Sequence, residues 1–198
     1  DNSYLSIVKR DEPEKSKSFF KDILTIPFNI EIQLFRDSIL KDIRVALNKI
    51  ISKKLINSSV YNVWTEDMAK ISKIYCDILN TNTICFSLET SRSCKRFHID
   101  NVPVRLLVTY YGIGTEWIPS NACDYSAYYN GKDNNEIIKD TSAIKFMNTW
   151  DIAIFKGNKF TGSEKGILHR TPNAALNSPS LLMRLDNLSI LSSRNISK

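Results

Sequence analysis

Histidine is nearly missing from this chain: its 198 residues contain two, His98 and His169. No run of about 18 apolar residues occurs, which excludes a membrane-spanning helix from the sequence. The four cysteines, Cys76, Cys85, Cys94 and Cys123, form no Cys-x-x-Cys pair, so a zinc ribbon is disfavoured. Cys76 and Cys85 sit among apolar residues and read as core. The first twenty residues contain no basic stretch running into an apolar one, unlike a secretory leader, and free thiols in a reducing cytoplasm are the expectation. The chain starts at Asp1, so a signal upstream of it stays open. No block of five or six like charges appears, although the net charge is +6 and the pI about 9.1. Lys and Arg alternate with Asp and Glu, so the excess reads as a solvated basic surface and names no nucleic-acid partner. No internal repeat is present.

What the chain has is ordinary globular material, with 42% apolar and 24% charged residues, enough for one core. Residues 1–20 read as an extended or frayed lead-in. Ile32, Phe35, Ile39, Ile43, Leu47, Ile50 and Ile51 recur at steps suited to one helical face over residues 30–56. Thr65 before Glu66 and Asp67 reads as a second helix start, continuing through Met68, Ile71, Ile74, Tyr75 and Ile78 to about Asn80. Beyond Asn80 the period shortens. Residues 83–89, 104–111, 151–156, 165–170 and 180–186 are rich in β-branched, aromatic and aliphatic residues and predict strands, with 122–129 as a further strand. Gly112, Gly114, Pro119, Gly131, Gly157, Gly162, Pro172 and Pro179 punctuate the gaps, and 130–142 reads as a surface loop. The prediction is an α+β chain: a helical segment, 1–80, packed on a β-rich core, 81–198, as one globular unit.

The chemistry concentrates at the two histidines. His98 and Asp100 are two apart, and in an extended strand residues i and i+2 point to one face. A second imidazole from a neighbouring strand, His169, completes two nitrogens and one carboxylate. That ligand set is the facial triad of non-heme Fe(II) sites, which leaves positions open for other ligands. Set against this, a three-residue motif arises readily by chance, and a lone histidine is commonly a surface or hydrogen-bonded residue. Cys94, four residues before His98, is an alternative zinc ligand.

The stretches RFHIDNVPVRLLVTYYGIGTEWIP (96–119) and WDIAIFKGNKFTGSEKGILHRTPNAALNSPSLLMRLD (150–186) resemble the Fe(II)/2-oxoglutarate-dependent dioxygenases, in their prolyl-hydroxylase-like branch and an uncharacterised bacterial part of it. The likeness covers roughly residues 83–188, and residues 1–80 carry none of it. It implies a double-stranded β-helix, a jelly-roll or cupin-like barrel preceded and backed by the helices. It also implies Fe(II) at His98, Asp100 and His169, and 2-oxoglutarate as cosubstrate. Arg184 matches the family position for the cation that holds the distal carboxylate of 2-oxoglutarate. Arg105 is the rival anchor, or else a structural ion-pair residue, and Thr109 could donate to the same carboxylate. Glu116 and Trp117 would wall a substrate pocket, against a packing role for Trp117 on the barrel edge.

Strand alternation tests this pattern. If Arg184 faces inward, so do Leu182 and Asp186, leaving Leu181, Met183 and Leu185 as an apolar outer stripe. On 104–111, Arg105, Leu107, Thr109 and Tyr111 share one face, and Val104, Leu106, Val108 and Tyr110 the other. Helices before residue 80 would cover these outer faces. The implied activity is hydroxylation of a C–H bond by O2 on an unknown substrate, an amino-acid or protein side chain being favoured. The competing readings are a non-catalytic cupin-type metal store or sensor, and a nucleic-acid oxidative demethylase using Tyr128, Tyr129 and a basic groove.

Overall fold

The computed structural model describes residues 4–160 and 166–188. The predicted strand start at Lys165, the turn at Gly162 and the end of the assigned core, 189–198, lie outside the described residues. Strands run in chain order as β1 Leu5–Val8, β2 Asn29–Phe35, β3 Thr83–Glu89, β4 Val104–Tyr111, β5 Glu116–Ile118, β6 Lys145–Phe146, β7 Ile152–Lys156, β8 Leu168–Arg170 and β9 Leu181–Asp186. Helices are α1 Ser16–Ile23, α2 Ile39–Leu47, α3 Lys53–Ile56, α4 Ser59–Leu79, α5 Tyr125–Tyr129 and α6 Asn134–Ile137. Among the described residues, the strands form a six-stranded sheet in the order β1-β7-β4-β9-β3-β2 and a three-stranded sheet β6-β5-β8. All the ladder pairs are antiparallel. The fold is mixed α+β, and no helix among the described residues is long and apolar enough to cross a membrane.

The two faces of the large sheet differ in chemistry because successive side chains alternate. Its outer face carries Phe86, Leu88, Leu106, Val108, Tyr110, Leu181, Met183 and Leu185. These pack with Phe19 and Phe20 of α1, Ile39, Ile43 and Leu47 of α2, and Trp64, Met68 and Tyr75 of α4 in the main core. Leu181, Met183 and Leu185 are wholly buried there, under the helices, as the alternation required. An aromatic chain ties the layers: Phe20 meets Trp64 edge-on at 5.3 Å between centroids, Trp64 meets Tyr110 at 6.1 Å, and Tyr110 meets Trp150 at 4.8 Å. The inner face carries a smaller apolar cluster, Leu107, Ala153, Phe155 and Leu182 with Met147 and Ile167, beside Arg105, Arg184 and Asp186.

Several predicted elements change identity. Residues 29–35 are a strand, not helix: Ile30, Ile32 and Leu34 alternate with Glu31 and Gln33, and β2 pairs with β3 along its whole length, from Asn29 opposite Glu89 to Phe35 opposite Thr83. The helical steps from Ile32 to Ile39 were coincidental, and the turn before Ile39 separates strand from helix. The lead-in likewise contributes β1, paired with β7 from Leu5 opposite Phe155 to Val8 opposite Ile152, and then α1. Both edge strands of the large sheet thus precede residue 80. The second helix begins at Ser59, capped by the Ser58 hydroxyl accepting from the Tyr61 amide at 3.1 Å, and Thr65 is buried within it. It ends where expected, at Asn80 in the left-handed conformation with φ 49°. Residues 125–129 are helical rather than strand, with Asp124 accepting from the Ala127 amide at their start, and the predicted loop that follows contains α6.

Leu185 is buried among α-helical and β-strand neighbours, whereas Phe146 is 54% exposed. Leu185→Ala is therefore expected to lower unfolding free energy by about 2–5 kcal/mol in urea titration. Phe146→Ala should stay within about 0.5 kcal/mol of the parent.

Candidate metal centre

The small sheet brings the two histidines together. His98 lies outside the named strands but forms a bridge with His169 on β8, each backbone amide donating to the other's carbonyl at 3.0 Å. Facing residues of an antiparallel pair place their side chains on the same side. The rings are 4.5 Å apart between centroids, and Phe155 of the large sheet lies 4.4 Å from the His169 ring. Two residues beyond His98, Asp100 turns into the same space. Its path is fixed by Gly157, whose amide donates to the Pro103 carbonyl, and by Asn158, whose amide donates to the Asp100 carbonyl at 2.9 Å. A Cβ on Gly157 would lie 2.1 Å from the Val102 carbonyl oxygen and 2.4 Å from that of Asp100, so only glycine permits this approach.

The side chains converge. One ligand atom each of His98, Asp100 and His169 lies within 4.8 Å of the others. Asp100 Oδ2 is 3.2 Å from His169 Nε2, and Asp100 Oδ1 is 3.6 Å from His98 Nε2. Tautomers follow from the backbone. His98 Nδ1 sits 3.0 Å from the Arg96 carbonyl, and His169 Nδ1 sits 3.1 Å from the Ile167 carbonyl. A carbonyl only accepts, so each Nδ1 carries the proton and each Nε2 turns to the centre. Asp100 Oδ2 is buried without a hydrogen-bond partner. A carboxylate oxygen and an imidazole lone pair facing each other at this distance repel unless a cation lies between them, either a second proton on the ring or a metal ion. The donor set therefore fits a divalent metal, with nitrogen and oxygen ligands suited to bonds of about 2.0–2.2 Å.

Charge around the cluster is dense. Burial raises the Asp100 carboxyl, but His169, His98 and Arg105 outweigh it and hold the group well below the usual carboxylate range. Burial lowers His98, while the hydrogen bond and charge of Asp100 overcome this and leave it above an ordinary histidine. Arg105 of β4 donates one amino group to Asp100 Oδ1 and grips Asp186 of β9 in a fork, Nε to Oδ1 at 2.7 Å and Nη2 to Oδ2 at 2.9 Å. Arg105 is thus an ion-pair residue between two buried carboxylates. Arg184 also lines the cavity, of about 290 Å³, that opens beside the cluster. It lies 3.2 Å from Asp186, 3.6 Å from Glu89 and 3.9 Å from Glu31, and donates to the Ser87 hydroxyl at 3.0 Å.

The other predicted site residues sit elsewhere. Thr109 is buried on the inner face of β4 but does not line this cavity. Glu116 is buried against Arg170, its Oε1 accepting at 2.9 Å, and borders a separate surface groove with Ile113, Ile144 and Phe146. Trp117 packs on the inter-sheet apolar cluster under Lys145 rather than on the cavity wall. The alternation that puts His169 toward the cluster turns Arg170 to Glu116, since β5 pairs Trp117 with His169 and Glu116 with Arg170. Cys94 is exposed on the cavity wall and outside the ligand cluster. A residue that sequence reasoning missed is Arg92, a buried cavity-lining arginine in the segment between β3 and His98. Its flanks, Ser91 and Ser93, give no periodic signal, and only the fold reveals its burial.

Together these features define an α+β protein carrying a two-imidazole, one-carboxylate cluster where two antiparallel sheets meet. A family model described as Protein of unknown function (DUF1826) matches residues 1–186, and the chain belongs to that family. No curated protein matches the chain.

Two substitutions test the centre. His169→Ala should weaken Mn(II) binding by more than about 100-fold, above the range for losing only an outer hydrogen-bond partner of a ligand, while circular dichroism stays unchanged. Calorimetric titration with an undiminished affinity would remove His169 from the site. Gly157→Ala, which touches no ligand side chain, should also weaken Mn(II) binding because the Asp100 backbone must move.

Proposed function

We propose that this chain is an Fe(II)-dependent oxygenase built on a double-stranded β-helix, with His98, Asp100 and His169 as metal ligands and 2-oxoglutarate as cosubstrate. The observation that carries the reading is the convergence of the three ligand atoms beside a cavity walled by arginines. A cavity of about 290 Å³ is at the small end of those that hold organic ligands, of the order of 300 Å³ and above. With Fe(II) bound, the chemistry supplied is oxidative: O2 is consumed, 2-oxoglutarate loses CO2 to give succinate, and a C–H bond of the substrate becomes C–OH. The chain's own residues have simpler tasks. The Arg96 and Ile167 carbonyls fix the imidazole tautomers, Arg105 holds Asp100 ionised and oriented, and Phe155 excludes water from one side of His169. The substrate class favoured by the likeness is an amino-acid or protein side chain, and the free, mostly buried thiols suit a cytoplasmic setting.

A specific observation also favours a second reading, a cupin-type metal store or sensor. Arg184 and Arg105, the two cations expected to receive a cosubstrate carboxylate, are already surrounded by protein carboxylates. A metal holder needs no free cation at this place. The nucleic-acid reading draws no support from geometry, since Tyr128 and Tyr129 on α5 are not among the residues lining the cavity.

The deciding measurement is succinate release from 2-oxoglutarate by the purified protein with Fe(II) and O2, without added substrate. Slow turnover that vanishes in Asp100→Ala is expected of the oxygenase. Metal binding with no succinate formed would instead establish the metal-holding reading.

A further inference from the structure

The arginines on the cavity wall are not equivalent. Arg105 is neutralised by Asp100 and Asp186, Arg184 by Asp186 and Glu89, and Arg170 by Glu116. Arg92 differs: among the described residues no carboxylate forms an ion pair with it. Its Nη1 donates to the Ile113 carbonyl and its Nη2 to the Thr115 hydroxyl, both at 2.8 Å. Both acceptors are neutral. Its Nε is buried with no hydrogen-bond partner. The residue is 9% exposed, and burial brings the guanidinium down to about 10, which still leaves it charged at neutral pH. The charge of Glu89 reaches Arg92 but no ion pair joins them, and a buried charge countered only at that distance is costly, since such groups are ordinarily paired. Here the missing partner has a place to sit, because Arg92 and the His98–His169 pair line the same cavity.

We propose that Arg92 binds the carboxylate of a small anionic ligand whose other end reaches the His98–Asp100–His169 cluster. This deepens the oxygenase reading and rests on it for the metal. A guanidinium can offer two parallel donors to a carboxylate; here these are Nε, buried and unpartnered, and the Nη2 proton not given to Thr115, which a small shift of the side chain would present to the cavity. Thr115, itself on the cavity wall, and the Ile113 carbonyl already restrain the group, so little side-chain freedom is lost on binding. Glu89, also on the wall, is paired with Arg184 at 3.6 Å, whereas its charge reaches Arg92 without an ion pair. The ligand class is a short dicarboxylate or 2-oxo acid, with 2-oxoglutarate as the probe. The assignment moves the anion anchor from Arg184, on β9, to the segment that leads into His98.

The test separates the anchor from the metal. Mn(II), redox-silent, is titrated first into the full chain by calorimetry, and 2-oxoglutarate is then titrated into the loaded protein. The parent, Arg92→Gln, Arg92→Lys and Arg184→Gln are compared. Mn(II) affinity should be the same in all four. Arg92→Gln should weaken 2-oxoglutarate at least about 30-fold, the lower end of the range for removing one partner of a buried charge pair. Arg92→Lys keeps charge without the fork and should weaken it about 10-fold, and Arg184→Gln less than either. If Arg92→Gln does not fold, judged by its unfolding transition, the Arg92→Lys comparison decides. Absence of Mn(II) binding in the parent overturns the metal-centre reading. With Mn(II) bound, 2-oxoglutarate affinity unchanged by the Arg92 variants overturns the anchor, as does failure of the parent to bind 2-oxoglutarate.

Discussion

The site depends on the grip of Arg105 on two buried aspartates. Asp100 belongs to the segment following the His98 bridge, and Asp186 ends the central strand β9. One guanidinium on β4 therefore fastens the metal-ligand segment to the middle of the large sheet. Breaking such a pair from one side leaves an uncompensated buried charge, a loss of the order of 3–5 kcal/mol, which exceeds the contribution of an ordinary surface ion pair several-fold. The same contact orients Asp100 so that one oxygen meets Arg105 and the other remains toward His169. Stability and ligand geometry are consequently properties of a single contact.

Around that contact the molecule separates its chemistries by sheet face. Dispersion and apolar burial hold the outer face, where helices cover Leu106, Val108, Leu181, Met183 and Leu185. The inner face is left to carry charge. Arg105, Asp186 and Arg184 are successive members of one electrostatic chain there, with Ser87 and Glu89 of β3 at its side. Alternation along β4 and β9 makes this division possible, because each strand serves both faces at once. Bulky apolar contacts at the inter-sheet cluster, such as Phe155 on His169, then limit the water that could loosen the charges.

Much of this was legible in the sequence where local rules suffice. The spacing of His98 and Asp100, the scarcity of histidine and the alternation in 104–109 and 181–186 pointed to the residues that meet, and to the stripe that the helices cover; Tyr111, expected on the inner face, follows a register shift and packs against the outer core instead. Long-range pairing was not legible. Residues 29–35 have apolar spacings that also fit a helix, and only the presence of β3 as a partner makes them a strand. The choice between Arg184 and Arg105 turned on which carboxylates stand nearby, and Glu31, Glu89 and Asp186 come from three separate strands. Arg92 gave no signal because its distinction, that no carboxylate among the described residues forms an ion pair with it, exists only in the folded chain. Glu116 was expected on a pocket wall, yet pairing with β8 turns it to Arg170, while Trp117 takes the packing role that was its alternative.

The outer strands of the large sheet have a consequence for how the chain reaches this state. Among the described residues β1 pairs with β7 alone, far along the chain, while β3 lies between β2 and β9. On a ribosome, Leu5–Val8 would wait for residues 152–155 before finding a partner, and the centre of the sheet would wait for 181–186. Contacts so distant along the chain must overcome loop-closure entropy before they return any stability, which slows folding and leaves strand edges uncovered in the interval. The helices α2 and α4 pack on one another across a shorter stretch of chain, so their contacts cost less loop-closure entropy than those of the sheet. Pairing across such separations predicts slow folding, with aggregation most favoured before β1 and β9 meet their partners.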